Sequence, residues 1–263
     1  MSDYINELVD VLAEELELAD IEFERVLESY KETREKINHH LADLFIEYAH
    51  DGMLNYYELQ ANGVINQFKE KVQEEINKNI EAESIALVTI LFLIFKRGYT
   101  KFLNKFADIS IINIRKKDLS SSLIDEHVNF NWSGIHFLER VNKNQSALFA
   151  TVWTTFIIGI QNGETVDVIA KKFNKHFDVK ASQALRLFET EAPRVLADAT
   201  EVIFKDNRIL KVEYQSVLEE NTCGECASYH GEVFELNDMS RPLIPRHARC
   251  KCFYVPANEY IKS

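Results

Sequence analysis

From Tyr4 to about Phe106 apolar residues recur at helical spacing with almost no break, and this limits the first part of the chain to long helices. Ile5, Leu8, Val9, Leu12 and Leu16 follow the i, i+3, i+4, i+7 rule, and Ile37, Leu41, Leu44, Phe45 and Tyr48 repeat it. Asp51-Gly52 interrupts the run, after which Phe68, Val72, Ile76 and Ile80 form a further stripe. With 8 Gly and 4 Pro in 263 residues turn formers are scarce, so connections are short. The first part therefore reads as a bundle or a set of antiparallel helices, with the stripes as core positions.

Ile85 to Phe95 (IALVTILFLIF) is the most apolar stretch, and its 11 residues fall well short of the roughly 20 that span a bilayer. It reads as buried helix. Met1-Ser-Asp-Tyr lacks the basic and apolar regions of a secretory signal, so the expected location during synthesis is the cytoplasm, and no membrane partner is expected.

Periodicity fades between Asp108 and Trp132, where Lys116-Lys117-Asp118 and Ser120-Ser121-Ser122 mark the best candidate boundary. Helical spacing returns from Trp132 to Ile160 and closes at Asn162-Gly163. Two helices are expected next, Thr165 to about Phe177 and Ala181 to about Phe204. Beyond Asp206-Asn207, the segments Ile209 to Val217, Glu232 to Phe234 and Cys252 to Val255 carry the β-branched and aromatic residues of short strands. The fold class is mainly α with a small β-rich C-terminal module. The expected organisation is a helical region over 1–125, a second region over 126–258 (helical to 205, β-rich from 206), and a tail over 259–263.

The net charge of −12 disfavours a surface that wraps DNA by general phosphate neutralisation. Residues 1–30 hold ten Asp or Glu against Arg25, most simply a solvated helix face. The last 23 residues are basic, with Arg241, Arg246, Arg249 and Lys251 close together. These four can contact a few phosphates or an acidic partner, or stand in a solvated loop.

All four cysteines lie within 30 residues, as Cys223-x2-Cys226 and, after His247, His247-x2-Cys250-x-Cys252. A Cys-x2-Cys turn sets two thiolates on one side of a tight knuckle, and His-x2-Cys does the same from the opposite side. Five donors thus compete for four positions on one tetrahedral ion. Cys223, Cys226, His247 and Cys250 give two knuckles of equal spacing, with Cys252 as the substitute for His247. Four protein ligands leave no open position, so the expected cofactor is structural zinc. A redox-sensitive or disulfide-linked set is the alternative, made less favourable by a reducing cytoplasm.

His230-Gly231-Glu232 needs separate treatment, because His-x-Glu with Cys-x2-Cys is the zinc deaminase signature. Here the order is reversed, with the cysteine pair first. A zinc-dependent hydrolase using Glu232 or His230 is the competing reading, and it requires a three-ligand site with bound water. The chain has no glycine-rich phosphate loop, no Gly-x-Ser-x-Gly and no His-Glu-x2-His. His39-His40 and the Glu189/Glu191 pair diverge on helical surfaces, which argues against a shared site in either pair.

The second half resembles the phage head morphogenesis, or minor head protein, family that carries the Mu-F-like domain. The resemblance rests on Trp132-Ser133-Gly134, on Gly159-Ile160-Gln161-Asn162-Gly163-Glu164-Thr165, and on Ala184 to Ala192 (ALRLFETEA), where the family has Arg-Thr-Glu. Its closing signature is the most specific: Asn221-Thr222-Cys223-Gly224-Glu225-Cys226, then His230-Gly231, then Ile244 to Cys252 (IPRHARCKC). The departures are Glu189 for Arg, His230 for Asp, and Ala248-Arg249 for Pro-Asn. The resemblance implies a protein without catalytic activity, present in few copies in the virion near the portal. It further implies partners in the portal protein, other head components and, in DNA passage, phage DNA. Under it Thr190, Glu191 and Arg194 become a polar brace between helix and β-module.

Overall fold

The stripes on either side of Asp51-Gly52 become two 46-residue helices, α1 (Asp3–Tyr48) and α3 (Val64–Ile109), in a computed structural model that describes residues 3–217 and 223–262. The reversal between them uses two consecutive left-handed residues, Asp51 (φ 51°) and Gly52 (φ 76°), closed by a His50–Met53 bridge. Asn55 then caps the short helix α2 (Tyr56–Ala61) by accepting hydrogen bonds from the Tyr57 and Glu58 amides.

After α3 the chain forms α4 (Ser121–Val128), started by Ser120 Oγ accepting from the Leu123 amide. The next helix, α5, spans Phe137–Gln161, so Trp132 to Ile135 precede it and His136 caps it. Asn162 ends it, with Gly163 at φ 68°, as expected of that pair. The two helices expected between Thr165 and Phe204 are one, α6 (Val166–Asp206). No Gly or Pro lies between Phe177 and Ala181 to break a helix, and Phe177, Ala181, Ala184 and Phe188 continue a buried row through the expected gap. Pro193 sits inside α6 and costs it one backbone hydrogen bond without ending it.

Beyond α6 lie β1 (Lys211–Gln215), the one-turn helix α7 (Gly224–Ser228), β2 (Val233–Glu235), β3 (Phe253–Pro256) and a 3₁₀ turn at Asn258–Tyr260. The three strands form an antiparallel sheet in the order β2-β1-β3, with Val212 opposite Phe234 and Tyr214 opposite Tyr254. Asn221 and Thr222, which open the closing signature, lie outside the described residues. Among the described residues no helix is long and apolar enough to cross a membrane; the Ile85 to Phe95 stretch lies within α3, with Leu87, Leu91, Ile94 and Phe95 buried.

The chain divides into two compact units, and the long helices contribute to both. One unit takes the described residues of Met1–Glu22, Leu87–Asn131 and Arg186–Ser263. In it α1 and α3 run antiparallel, with Lys105 on Glu7 at 2.9 Å and Arg97 on Glu15 at 3.1 Å. Its core includes Leu8, Phe95, Phe102, Phe188 and the Phe106–Phe204 ring pair. Gly98 lets α3 close on α6, since a Cβ there would stand 2.4 Å from Leu196 Cδ2. The first stripe buries Glu15 completely and leaves Leu16 only half-buried. A buried carboxylate is tolerated there because Lys101 meets it at 2.6 Å and Arg97 at 3.1 Å.

The other unit takes Phe23–Ala86 and Trp132–Leu185. Here too α1 and α3 are antiparallel, with Ser29 on Asn79 and Tyr30 on Glu83, and the ring of Phe68 in α3 meets that of Phe156 in α5 at a tilt of 40°, centroids 4.3 Å apart. A polar layer crosses this core. Glu83 Oε2 accepts from Tyr30 Oη at 2.9 Å and from Gln145 Nε2 at 2.7 Å, and Gln145 Nε2 also donates to Tyr30 Oη. Burial raises the Glu83 pKa above the usual carboxylate range, against the lowering effect of those two donors.

Candidate metal centre

The first knuckle forms because Cys223 caps α7. Its sulfur accepts from the Cys226 amide at 3.3 Å, and its carbonyl accepts from the Ala227 amide at 3.0 Å. That turn leaves Cys226 buried and Cys223 half-buried on one side of the knuckle. The second knuckle is another turn, with the Cys250 amide on the His247 carbonyl at 3.2 Å and Arg249 in the left-handed region at φ 65°.

Two overlapping groups of donors result: Cys223, Cys226 and His247, and Cys226, Cys250 and Cys252, the donor atoms of each lying within 4.8 Å of one another. His247 Nε2 stands 3.2 Å from Cys223 Sγ and 3.3 Å from Cys226 Sγ, while Cys226 Sγ stands 3.9 Å from Cys250 Sγ. Ligands at about 2.3 Å (sulfur) and about 2.0 Å (nitrogen) from a tetrahedral ion are separated by about 3.5–3.8 Å, so these spacings match the edges of a zinc site to within a few tenths of an ångström.

The imidazole is in the right tautomer for a ligand. His247 Nδ1 lies 2.8 Å from the Ala248 carbonyl and donates to it, which leaves the Nε2 lone pair aimed at the two sulfurs. The thiols have unequal environments. The Cys226 amide lowers the Cys223 pKa, and a hydrogen bond from Cys252 lowers Cys250 to about 5. Burial pushes Cys226 up to about 11, and the neighbouring Cys250 raises Cys252. A divalent ion reverses the last two effects, because its charge favours every thiolate around it.

Neither His230 nor Glu232 belongs to either donor group among the described residues. His230 Nδ1 accepts from the Ser216 amide at 3.2 Å, and Glu232 contributes its backbone to the β1 flank, accepting from the Tyr214 amide at 2.9 Å. Gly231, at φ 81°, makes the turn between them and donates to the Tyr214 carbonyl.

The basic cluster is engaged within the fold. Arg241 bonds Glu201 at 2.9 Å and lies over the Tyr254 ring, Arg246 pairs with Glu225 and lies over Tyr229, and Arg249 pairs with Glu189. Lys251 is exposed.

The Thr190, Glu191 and Arg194 group divides its work. Thr190 Oγ1 accepts from the Arg249 amide at 3.2 Å and so reaches the second knuckle. Arg194 turns instead toward α4, donating to the His127 and Val128 carbonyls at 2.9 and 2.8 Å while pairing with Glu191 and Asp198, each at 2.7 Å. Sequence reading did not single out Tyr214, a fully buried ring beside the cysteines. The buried alternation of Val212 and Tyr214 along β1 is the signal that marks its inward face.

No curated protein and no solved structure matches the chain. Residues 150–255 match the family model described as phage Mu protein F like protein; Trp132-Ser133-Gly134 lies ahead of that stretch. The match runs through α6 and the sheet and takes in all five Cys and His donors, so over this stretch the chain is similar to the phage Mu protein F like family.

Proposed function

We propose that this chain is a minor head protein that associates with the portal and acts in capsid assembly or DNA passage, with a structural zinc site in place of a catalytic one. The observation that carries the reading is the family match over residues 150–255, reinforced by the two overlapping Cys/His donor groups inside that stretch. Residues 126–258 form the Mu-F-like region in this reading. Residues 1–125 supply helical surface for other head components. The protein resides in the virion, in the head interior near the portal, after assembly in the host cytoplasm.

Cys223, Cys226, His247 and Cys250 are proposed as the ligands, with Cys252 as the substitute for His247. The residues fit the ion on the inter-ligand spacings and on the His247 tautomer. A bound tetrahedral ion supplies folding free energy to a segment whose sheet has only three short strands. The protein's own part is to hold two turns at the required spacing, which the α7 cap and the Thr190–Arg249 bond accomplish.

The test is co-purification with the portal protein encoded by the same phage or prophage, followed by mass spectrometry of purified heads. A few copies in each head are expected. Absence from heads overturns the assembly role, and zinc coordinated by three protein ligands and a solvent oxygen, read by X-ray absorption, overturns the structural role of the metal.

A further inference from the structure

Tyr214 is fully buried at the centre of the small sheet, and its position is over-determined. Its amide donates to the Glu232 carbonyl at 2.9 Å, its carbonyl accepts from the Gly231 amide at 2.8 Å, and its ring meets Tyr254 edge-on at 5.3 Å and Tyr229 at 5.7 Å. Such a ring has no freedom to turn its hydroxyl elsewhere. Yet that hydroxyl makes no hydrogen bond of proper geometry among the described residues, although it faces the sulfurs of Cys252 and Cys226. A buried hydroxyl left unsatisfied is costly, and a neutral thiol is a poor acceptor for it. A thiolate is a strong one.

We propose that Tyr214 is the outer-shell hydrogen-bond donor of the metal centre, a positioning residue whose hydroxyl binds a metal-held thiolate of Cys226 or Cys252. The proposal rests on the metal reading above. Cys226 belongs to both donor groups and to both proposed ligand sets, so its thiolate is a ligand whether His247 or Cys252 completes the four. Metal ligands are oriented by such second partners, and losing one typically weakens affinity by 10–100-fold. The orphan hydroxyl thus has opposite consequences in the two states of the protein: unfavourable in the metal-free chain, favourable in the loaded one.

The experiment compares the full-length wild type with Tyr214→Phe, measuring Zn²⁺ and Co²⁺ affinity by competition with a chromophoric chelator and Tm with and without metal. The expected result for Tyr214→Phe is affinity weaker by about 10–100-fold, a metal-free Tm equal to or above that of the wild type, and a smaller rise in Tm on adding Zn²⁺. The Co²⁺ thiolate charge-transfer band should also shift, since a hydrogen bond to sulfur changes its donor strength. Wild-type affinity in Tyr214→Phe overturns the proposal and leaves the metal site standing. Failure of the wild type itself to bind either ion overturns the metal reading first. If Tyr214→Phe lowers the metal-free Tm, the hydroxyl is already satisfied by the thiols, and the proposal fails on that ground.

Discussion

Thr190 Oγ1 accepts a hydrogen bond from the Arg249 amide at 3.2 Å while donating to the Arg186 carbonyl at 2.6 Å, so one hydroxyl in α6 joins the long helix to the knuckle that holds His247 and Cys250. Arg249 is left-handed at φ 65°, and its amide points at this hydroxyl of α6. Thr190→Val keeps shape and β-branching but loses the acceptor. It should cost about 1 kcal/mol in denaturant unfolding. If the centre binds zinc, the same variant should speed zinc loss to a chelator.

The ligand set makes a sharper prediction. Cys226→Ser should bring bound metal from about one equivalent to none and expose the backbone after Asp206 to hydrogen exchange, leaving α1 and α3 protected. Cys252→Ser separates the alternatives: retained metal assigns His247 as the fourth ligand, and lost metal assigns Cys252. Wild-type protection of the sheet in metal-free Cys226→Ser would show that the module folds without an ion.

Arg194 anchors α6 to the end of α4. Its side chain is 1% exposed and Glu191 is 2% exposed, so removing the guanidinium takes its cation from a buried carboxylate and a donor from each of two helix-terminal carbonyls. Arg194→Met should therefore cost about 3–5 kcal/mol. Arg194→Lys should recover little of it, because a single ammonium cannot serve two carbonyls and two carboxylates set around a planar fork. Equilibrium denaturation of the three proteins checks both statements.

Glu83 gives a pH dependence with a defined sign. Burial raises its pKa in the folded chain above the unfolded value of 4.5, so the stability it contributes is complete below that value and is lost as pH rises through the folded pKa. Glu83→Gln keeps the shape and removes the titration. The Tm of the wild type should fall relative to that of Glu83→Gln as pH climbs from the unfolded value toward neutrality and beyond. Parallel Tm curves for the two proteins across that range would show that Glu83 ionises in the folded chain as it does in water.

Much of this architecture can be read from local pattern. The Asn162-Gly163 stop, the Asp51-Gly52 reversal, the three short strands and both knuckles sit where residue type and spacing put them, because caps, left-handed turns and thiolate pairs are set by neighbours a few residues apart. The continuity of α6 was not legible in the same way. A weakening of the apolar stripe near Asp178 resembles a linker in sequence, but without a residue that stops a helix the backbone hydrogen bonds carry on through it.

The sequence by itself determined that this is a helical chain ending in a cysteine and histidine module, similar over residues 150–255 to the phage Mu protein F like family. Tertiary structure decided which polar groups go inside. Glu15 is buried in the stripe where Leu16 fits the pattern, Glu83 meets Tyr30 and Gln145, and Arg194 faces α4 rather than the sheet. Partners in these bonds are 53 to 86 residues apart in the chain. A buried polar group is tolerated only where a distant partner arrives to satisfy it, and no local pattern records that arrival.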